Sequence, residues 1–136
     1  MYFVLPYVEQ EFRTKPLNYF SHLFGHEGEN SLLSYLKQED YAMSLNAGGD
    51  HELEAFSDFS ITITLTKKGL ANYQKVMAAV FKYAKRLQEG GPQDYVFEET
   101  KTVGSMRFEF VEKGDPMNYV VGLTRKMPLF KNDDDM

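Results

Sequence analysis

Apolar and polar residues alternate with a period of two in two stretches of the chain, and this pattern predicts two β-strands. In the first stretch the apolar positions are Tyr41, Met43, Leu45 and Ala47. In the second stretch, which is richer in β-branched residues, they are Phe59, Ile61, Ile63 and Leu65. A Gly-Gly-Asp sequence at residues 48–50 opens the connection between them. We therefore expect an antiparallel pair of strands with one apolar and one polar face.

The N-terminal part of the chain predicts a strand followed by two short helices. An apolar run at residues 2–5 is typical of a short buried strand, which Pro6 would end. A helix is expected to begin at Pro16, because proline is well accommodated in the first turn. Its apolar stripe comprises Tyr19, Phe20, Leu23 and Phe24. A second helix is predicted at residues 31–36, with Leu32, Leu33 and Leu36 on its apolar face.

The C-terminal half predicts further helices. A long helix is expected from the capping residue Thr66 to the Gly-Gly pair at residues 90–91. Its apolar stripe comprises Leu70, Tyr73, Met77, Val80, Ala84 and Leu87. The next helix is expected to begin at Pro92, and its apolar face would comprise Val96, Val103, Met106 and Phe110. A last helical piece is indicated at residues 119–123. The order of elements predicts an α+β fold with helices packed on one face of an antiparallel sheet.

Composition and charge exclude several classes of function. The 136 residues include 43% hydrophobic residues, so a core can form, and the absence of cysteine removes disulfides and thiolate chemistry. A net charge of −5 without basic clusters argues against nucleic acid as a partner. No apolar run approaches the length of a membrane span, and residues 1–6 lack the basic leader and the cleavage site expected of a signal peptide. These features favour a reducing, cytoplasmic location.

The sequence around His22 and His26 is the densest candidate for chemistry. The two histidines are four residues apart, a spacing that can chelate zinc on a helix. Neither His-Glu-x-x-His nor His-x-x-Glu-His occurs in the chain, however, and Gly25 and Gly28 oppose a continuous helix through both imidazoles. A zinc site, a polar loop near a helix end and a ligand-binding loop all remain open on these residues. His51, the Glu98–Glu99 pair and Asp133–Asp135 are expected to be solvated.

Four segments, taken in order, resemble the insulin-degrading-enzyme branch of the pitrilysin-type zinc metallopeptidases. The first reads PLNYFSHLFGHEG at residues 16–28, and it is followed by SLLSYL at residues 31–36. Further similarity lies in LTKKGL at residues 65–70 and GPQDYVFEE at residues 91–99. The likeness extends from about residue 5 to residue 129.

The resemblance implies a place within a larger enzyme. Proteins of that family consist of four similar α+β domains around a chamber, and the first domain holds the catalytic zinc. The stretch similar to this chain belongs to the second, non-catalytic domain. We therefore expect residues 1–136 to form a single partial domain with an acidic tail at residues 131–136. No catalytic residue, metal ligand or cofactor is expected within the chain, zinc belongs to the parent enzyme, and the chain alone should be inactive.

The same resemblance implies a substrate-anchoring exosite, at which the N-terminal segment of a peptide adds to a sheet edge. The matching positions are His22, Gly25, Glu27, Leu45, Asn46, Ala47 and Gly49. Asn46, Ala47 and Gly49 depart from the residues usual in the family, as does Asn18. Glu27 would pair with a free N-terminal amine, and glycine would allow the peptide to approach the backbone closely.

Two functions from different classes therefore remain, and a third, that the fragment is itself a zinc hydrolase, would require His22 and His26 to chelate the metal. The first is a substrate-anchoring fragment of a zinc metalloendopeptidase that degrades peptides, with peptide substrates and the other domains of the parent as partners. The second is a non-enzymatic peptide- or protein-binding or assembly module in which the glycine- and histidine-containing loop only shapes a surface. A truncated domain would expose apolar surface and strand edges, so we also expect self-association into a homo-oligomer.

Overall fold

The computed structural model describes residues 1–8, 11, 13–50 and 56–127. The strands are β1 (Tyr2–Leu5), β2 (Ala42–Asp50) and β3 (Ser57–Leu65). The helices are α1 (Pro16–Gly25), α2 (Leu32–Gln38), α3 (Lys67–Ala71), α4 (Tyr73–Gly90), α5 (Asp94–Glu109) and α6 (Pro116–Lys126). Among the described helices, none has both the length and the apolar character needed to cross a membrane. The expectations for His51 and for the acidic tail at residues 131–136 fall outside the described residues.

The three strands form an antiparallel sheet in the order β1-β3-β2, so β3 is central. The predicted pairing of β2 with β3 is confirmed, with Leu45 opposite Ile63 and Ala47 opposite Ile61. Apolar side chains of one sheet face pack with buried residues of α1, α2 and α4, whereas Thr62 on the other face is exposed. The predicted α+β architecture, with helices on one side of an antiparallel sheet, is therefore confirmed.

A register shift in β2 corrects the predicted alternation at its start. The shift falls between Ala42 and Ser44, where an extra residue interrupts the pairing with β3. As a result Ala42 is buried at 4% exposure, whereas Met43 is 59% exposed, the reverse of the expected phase. After the shift the alternation returns to the expected phase, and Leu45 is buried.

The apolar strand at the N-terminus is an edge strand and is only half buried. Phe3 and Leu5 pack against the core, but Tyr2 and Val4 are 79% and 73% exposed. The prediction of a buried strand was therefore wrong for alternate residues. Because β1 pairs only with β3 among the described strands, and no described helix covers its second face, the outward side chains have no apolar neighbours to bury them.

The predicted long helix is two helices with a break at Asn72, whose φ of −120° is not helical. The expected cap is present, because the Thr66 hydroxyl accepts a hydrogen bond from the Gly69 amide at 2.9 Å. The predicted stripe is wrong at its start, both before the break and in the first turns of α4. The exposed members of that stripe are Leu70, Tyr73 and Met77. The face of α4 that is fully buried comprises Val76, Ala79 and Val80.

The chain comprises two compact units, the first of residues Met1–Thr100 and the second beginning at Lys101. The second unit contains the end of α5 and α6, and the Asp115 carboxylate caps α6 by accepting from the Asn118 amide at 3.0 Å. In the helix after Pro92, only Val96 of the predicted apolar face is buried. The other predicted members, Val103, Met106 and Phe110, are exposed.

Tyr83 connects α4 to α1 within the first unit. Its ring packs edge-on against Phe24, with centroids 5.5 Å apart, and its hydroxyl donates to the Leu23 carbonyl at 3.2 Å. Burial raises the pKa of the Tyr83 hydroxyl above its ordinary value of 10.0, and the nearby Arg86 opposes this effect.

The raised pKa of Tyr83 predicts a loss of stability at alkaline pH. The unfolded tyrosine ionises at a lower pH than the folded one, so this contribution is complete below pH 10.0 and is lost as the pH rises through the folded pKa. We expect the free energy of unfolding, measured by urea titration between pH 8 and 11, to fall less steeply in Tyr83→Phe. Tyr73→Phe, at a half-exposed ring, is the matched control and should follow the wild type. Identical slopes in all three proteins would contradict the prediction.

Candidate functional site

Helix α1 ends between the two candidate histidines. It ends at Gly25, and His26 already has an extended backbone with φ −62° and ψ 135°. The expectation that no continuous helix would pass through both imidazoles is therefore confirmed. The rings of His22 and His26 lie 6.1 Å apart between centroids and are tilted by 34°. The two side chains thus meet across a helix end rather than along one turn of a helix.

The donor set around this histidine pair does not fit a metal. His22 Nε2 lies 3.8 Å from a carboxylate oxygen of Glu99, which α5 supplies. In the part of the chain that the structure describes, no three histidine, cysteine, aspartate or glutamate side chains group so that they could hold a metal ion. We therefore derive no metal chemistry at this site. The pair instead forms a polar surface with an acidic neighbour on one side.

Glu27 lies in the exposed loop after α1. One of its carboxylate oxygens lies 3.9 Å from the ammonium of Lys37 in α2, and both side chains are largely exposed. An exposed ion pair of this kind contributes at most about 1 kcal/mol. The carboxylate therefore remains accessible to a stronger cationic partner. Displacing Lys37 from it would cost little free energy, because the ion pair is weak.

Gly25, the last residue of α1, and Gly28, in the loop that follows, have different surroundings. A Cβ added to Gly28 would lie 2.5 Å from His26 Nε2, so the imidazole packs over this glycine. A Cβ added to Gly25 would meet nothing within 4 Å, and the backbone of Gly25 has no positive φ. Neither packing nor backbone conformation within the described chain thus requires glycine at position 25. A glycine there leaves open space beside the end of α1.

The hydrogen bonds of β3 fix which edge each backbone group faces. The Met1 ammonium donates to the Ile61 carbonyl at 2.8 Å, and the Ile61 amide donates to the Met1 carbonyl at 2.9 Å. Both polar backbone groups of Ile61 therefore face β1. Successive residues of a strand direct these groups to opposite edges. The backbone groups of Ser60 and Thr62 accordingly face β2.

This geometry determines the polarity of the outer edge of β2. Ser60 is opposite Gly48 and Thr62 is opposite Asn46, so these two β2 residues direct their amide and carbonyl groups toward β3. The alternate residues direct theirs to the other edge, and these are Leu45, Ala47 and Gly49. Among the described strands, β3 is the sole neighbour of β2. The outer edge of β2 thus presents the backbone donors and acceptors of three alternate residues, for which no partner is found among the described residues.

Helix α1 joins the two groups of candidate residues. It packs against β2, and Gly49 lies so close to α1 that an added Cβ would come within 2.8 Å of Leu17 Cδ1. At the other end of this helix lie His22 and Gly25, in its last turn, and Glu27, in the loop that follows. Leu45 is buried against the helices, whereas Asn46 has an exposed side chain on the opposite face.

The contact of Glu99 with His22 was not predicted from the sequence, where Glu99 was assigned to a solvated face. Its contact with His22 joins helices that are far apart in the chain, and nothing in either local pattern indicates it. The alternation of edge-facing backbone groups was also beyond the sequence. It depends on how β3 pairs with β1 and β2, and the hydrogen bonds between Met1 and Ile61 show which backbone groups face β1.

Comparisons with known proteins match most of the chain. Residues 1–103 match the family model described as the peptidase M16 inactive domain. Nardilysin from Rattus norvegicus is 40% identical over 134 residues, which cover 96% of this chain and 12% of that protein. Insulin-degrading enzyme from Drosophila melanogaster is 36% identical over 121 residues, which cover 89% of this chain and 12% of that protein.

A solved structure of pitrilysin shares the fold. It matches with a TM-score of 0.79 and 27% sequence identity, covering 88% of this chain and 13% of that one. The chain spans about 12% of the length of the curated relatives that it matches.

Proposed function

The chain belongs to the M16 peptidase family, where it corresponds to the inactive domain, and on this premise we propose that it anchors peptide substrates for a longer zinc metalloendopeptidase. The resemblance inferred from residues 16–28 and the later segments is thereby confirmed at the level of the family. Zinc, when bound elsewhere in such an enzyme, supplies an activated water for peptide hydrolysis. The residues of this chain contribute binding and orientation.

The observation that carries the proposal is the outer edge of β2. Leu45, Ala47 and Gly49 direct their backbone amide and carbonyl groups to an edge that no described strand occupies. An extended peptide can pair with such an edge through its own backbone, with little dependence on its sequence. This property suits a protein that must hold many different peptides in one orientation.

The loop after α1 supports selection of a peptide N-terminus. Glu27 offers an accessible carboxylate that is held only by an exposed contact with Lys37. A free ammonium would form a charge-assisted hydrogen bond with it, stronger than the exposed ion pair. The open space beside Gly25 would accommodate the first residue of the peptide, and the His22 imidazole would line that space.

We expect this chain to bind an extended peptide with a free N-terminus at least tenfold more tightly than its acetylated form. Glu27→Gln should abolish that preference, because it removes the charge that the ammonium recognises, at a cost of about 1.4 kcal/mol per factor of ten. Isothermal titration calorimetry with the two peptides measures both effects. Glu29→Gln, an exposed neighbour in the same loop, is the matched control and should retain the preference.

Gly25→Val tests the steric part of the same proposal. Because a Cβ at this position meets no described residue within 4 Å, the variant should keep the unfolding midpoint of the wild type while losing peptide binding. Equal affinity for free and acetylated peptides in the wild type would overturn the role of Glu27. Undiminished binding by a folded Gly25→Val variant would overturn the role of the space beside α1.

A further inference from the structure

A groove between α2 and α4 carries an unusual concentration of positive charge. It has a volume of about 590 Å³ and lies wholly within the first unit. The α4 wall presents Lys75, Lys82 and Arg86, and no aspartate or glutamate is among the described residues that line the groove. This arrangement occurs in a chain with 15 basic and 20 acidic residues. The clustering of cations is therefore a local feature that the net charge does not reveal.

The three basic side chains lie along one side of α4. Their spacing of seven and then four residues returns to nearly the same helix face, which is the face toward α2. All three are exposed, and no carboxylate of the described residues lies within ion-pair distance of them. Neighbouring like charges repel each other, so an anion bound between them would relieve an unfavourable interaction as well as add a favourable one.

The opposite wall of the groove supplies neutral polar groups. Asn30 and Gln38 offer amides at the two ends of α2, and Tyr35, which is 48% exposed, offers a ring and a hydroxyl. The buried Tyr41 also lines the groove. Amide and hydroxyl groups of this kind can pair with the backbone of a polypeptide, and aromatic rings can pack on its side chains.

We propose that this groove binds an extended, acidic peptide segment, with Lys75, Lys82 and Arg86 pairing with its carboxylates. Eleven residues of helix separate the first cation from the last, a distance of about 16 Å at 1.5 Å per residue. An extended peptide covers this distance with about five residues at roughly 3.3 Å each. A single phosphate group would reach only one or two of the three charges. The length of the cationic row therefore favours a peptide.

This groove is distinct from the edge of β2. None of the seven residues of the proposed anchor lines the groove. The groove recognises the carboxylates of its peptide ligand, whereas the anchor recognises a free amine. The two proposals can therefore fail separately. If both hold, the chain contacts a peptide N-terminus at one place and an acidic segment at another.

The test uses fluorescence anisotropy with the full chain and a labelled six-residue peptide. The peptide is acetylated at its N-terminus and carries glutamate at its second, fourth and sixth positions and alanine elsewhere, so that the three carboxylates lie on one face of the extended chain. We expect Lys82→Gln to weaken binding about threefold, as for exposed ion pairs, and the triple variant of Lys75, Lys82 and Arg86 to glutamine about thirtyfold. Lys85→Gln removes the same charge from α4 outside the groove and should change affinity less than twofold.

Several results would overturn the proposal. Binding of the corresponding glutamine peptide with equal affinity would exclude recognition of carboxylates. An equal loss in Lys85→Gln and Lys82→Gln would show attraction to the whole helix rather than to the groove. Binding of tripolyphosphate at the three cations, without binding of the peptide, would identify an inorganic anion as the occupant. Glu27→Gln, which affects only the amine anchor, should leave binding of the acetylated peptide unchanged.

Discussion

Replacing Gly69 with alanine is expected to lower the free energy of unfolding by about 3 kcal/mol or more, at the upper end of the costs of overpacking a folded interior. Gly69 lies in the first turn of α3 and is buried. A Cβ there would lie against the carbonyl oxygen of Tyr41, well inside contact distance. Both groups belong to the backbone, so neither can turn aside as a flexible side chain would.

The contact at Gly69 belongs to a junction between the end of α2 and the start of α3. The Thr66 amide donates to the Tyr41 carbonyl at 3.0 Å, and the Thr66 hydroxyl donates to the Asp40 carbonyl at 2.6 Å. The Lys68 ammonium donates to the Glu39 carbonyl at 2.6 Å. Moving α3 outward to accommodate a methyl group would lengthen all three hydrogen bonds. Each of them contributes roughly 0.5–1.5 kcal/mol or more to stability.

Urea unfolding followed by circular dichroism measures the effect of Gly69→Ala. Gly25→Ala is the matched control, since it adds the same methyl group at a position with nothing within 4 Å. It should remain within about 0.5 kcal/mol of the wild type, as is usual for surface substitutions. A Gly69→Ala variant as stable as Gly25→Ala would refute the close approach of α3 to the Tyr41 carbonyl.

Replacing Leu36 with alanine is expected to cost about 2–5 kcal/mol, the range for removing a large aliphatic side chain from a core. Leu36 has 0% exposure and belongs to the cluster that joins α2 to the sheet and α4. Its carbonyl also accepts from the Tyr41 amide at 2.8 Å, which fixes the turn into β2. The backbone around Leu36 therefore cannot easily move into the cavity that Leu36→Ala would create.

Leu70→Ala provides the matched control for Leu36→Ala, because it removes the same atoms from a side chain that is 67% exposed. Its free energy of unfolding should differ from the wild type by less than about 0.5 kcal/mol, apart from small propensity effects. Urea titration of both variants makes the comparison. Since the sequence pattern alone assigned Leu36 and Leu70 equally to apolar stripes, equal losses would favour that pattern over the observed burial.

The sequence was most informative where a local pattern continued without interruption. β3 alternates from Phe59 to Leu65 as predicted, because one face of a central strand meets the helices and the other does not. The cap at Thr66 and the end of α1 at Gly25 were also predictable, since capping and glycine effects act within one turn. The family resemblance rested on segments of this local kind.

Local patterns were misleading wherever a single residue changed the phase. One additional residue between Ala42 and Ser44 exchanges the faces of the start of β2, and Asn72 separates α3 from α4. Periodicity assumes that an element is continuous, so it assigned Met43 and Leu70 to the interior although both are exposed. Neither interruption has a glycine or proline to mark it.

In the candidate site, likewise, some residues could be predicted from the sequence and others could not. The residues His22, Gly25 and Glu27 could be chosen from the sequence because they adjoin in one segment and resemble a family pattern. The contact of His22 with Glu99 could not, because it joins helices that are distant in the chain. The cationic groove was equally hidden, since Lys75, Lys82 and Arg86 are ordinary surface residues until α2 forms the opposite wall.

By itself, the sequence determined the class of fold, the order of its elements, the caps that delimit several helices, and the family, because hydrophobic periodicity and capping operate over a few neighbouring residues. Three features depended on the tertiary structure: which backbone groups of β2 face away from β3, how closely α3 approaches the Tyr41 carbonyl, and where positive charge gathers between α2 and α4. Each of these depends on strand register or on the packing of distant segments. Such contacts are fixed by the fit of the whole core and leave no signal in any local stretch of residues.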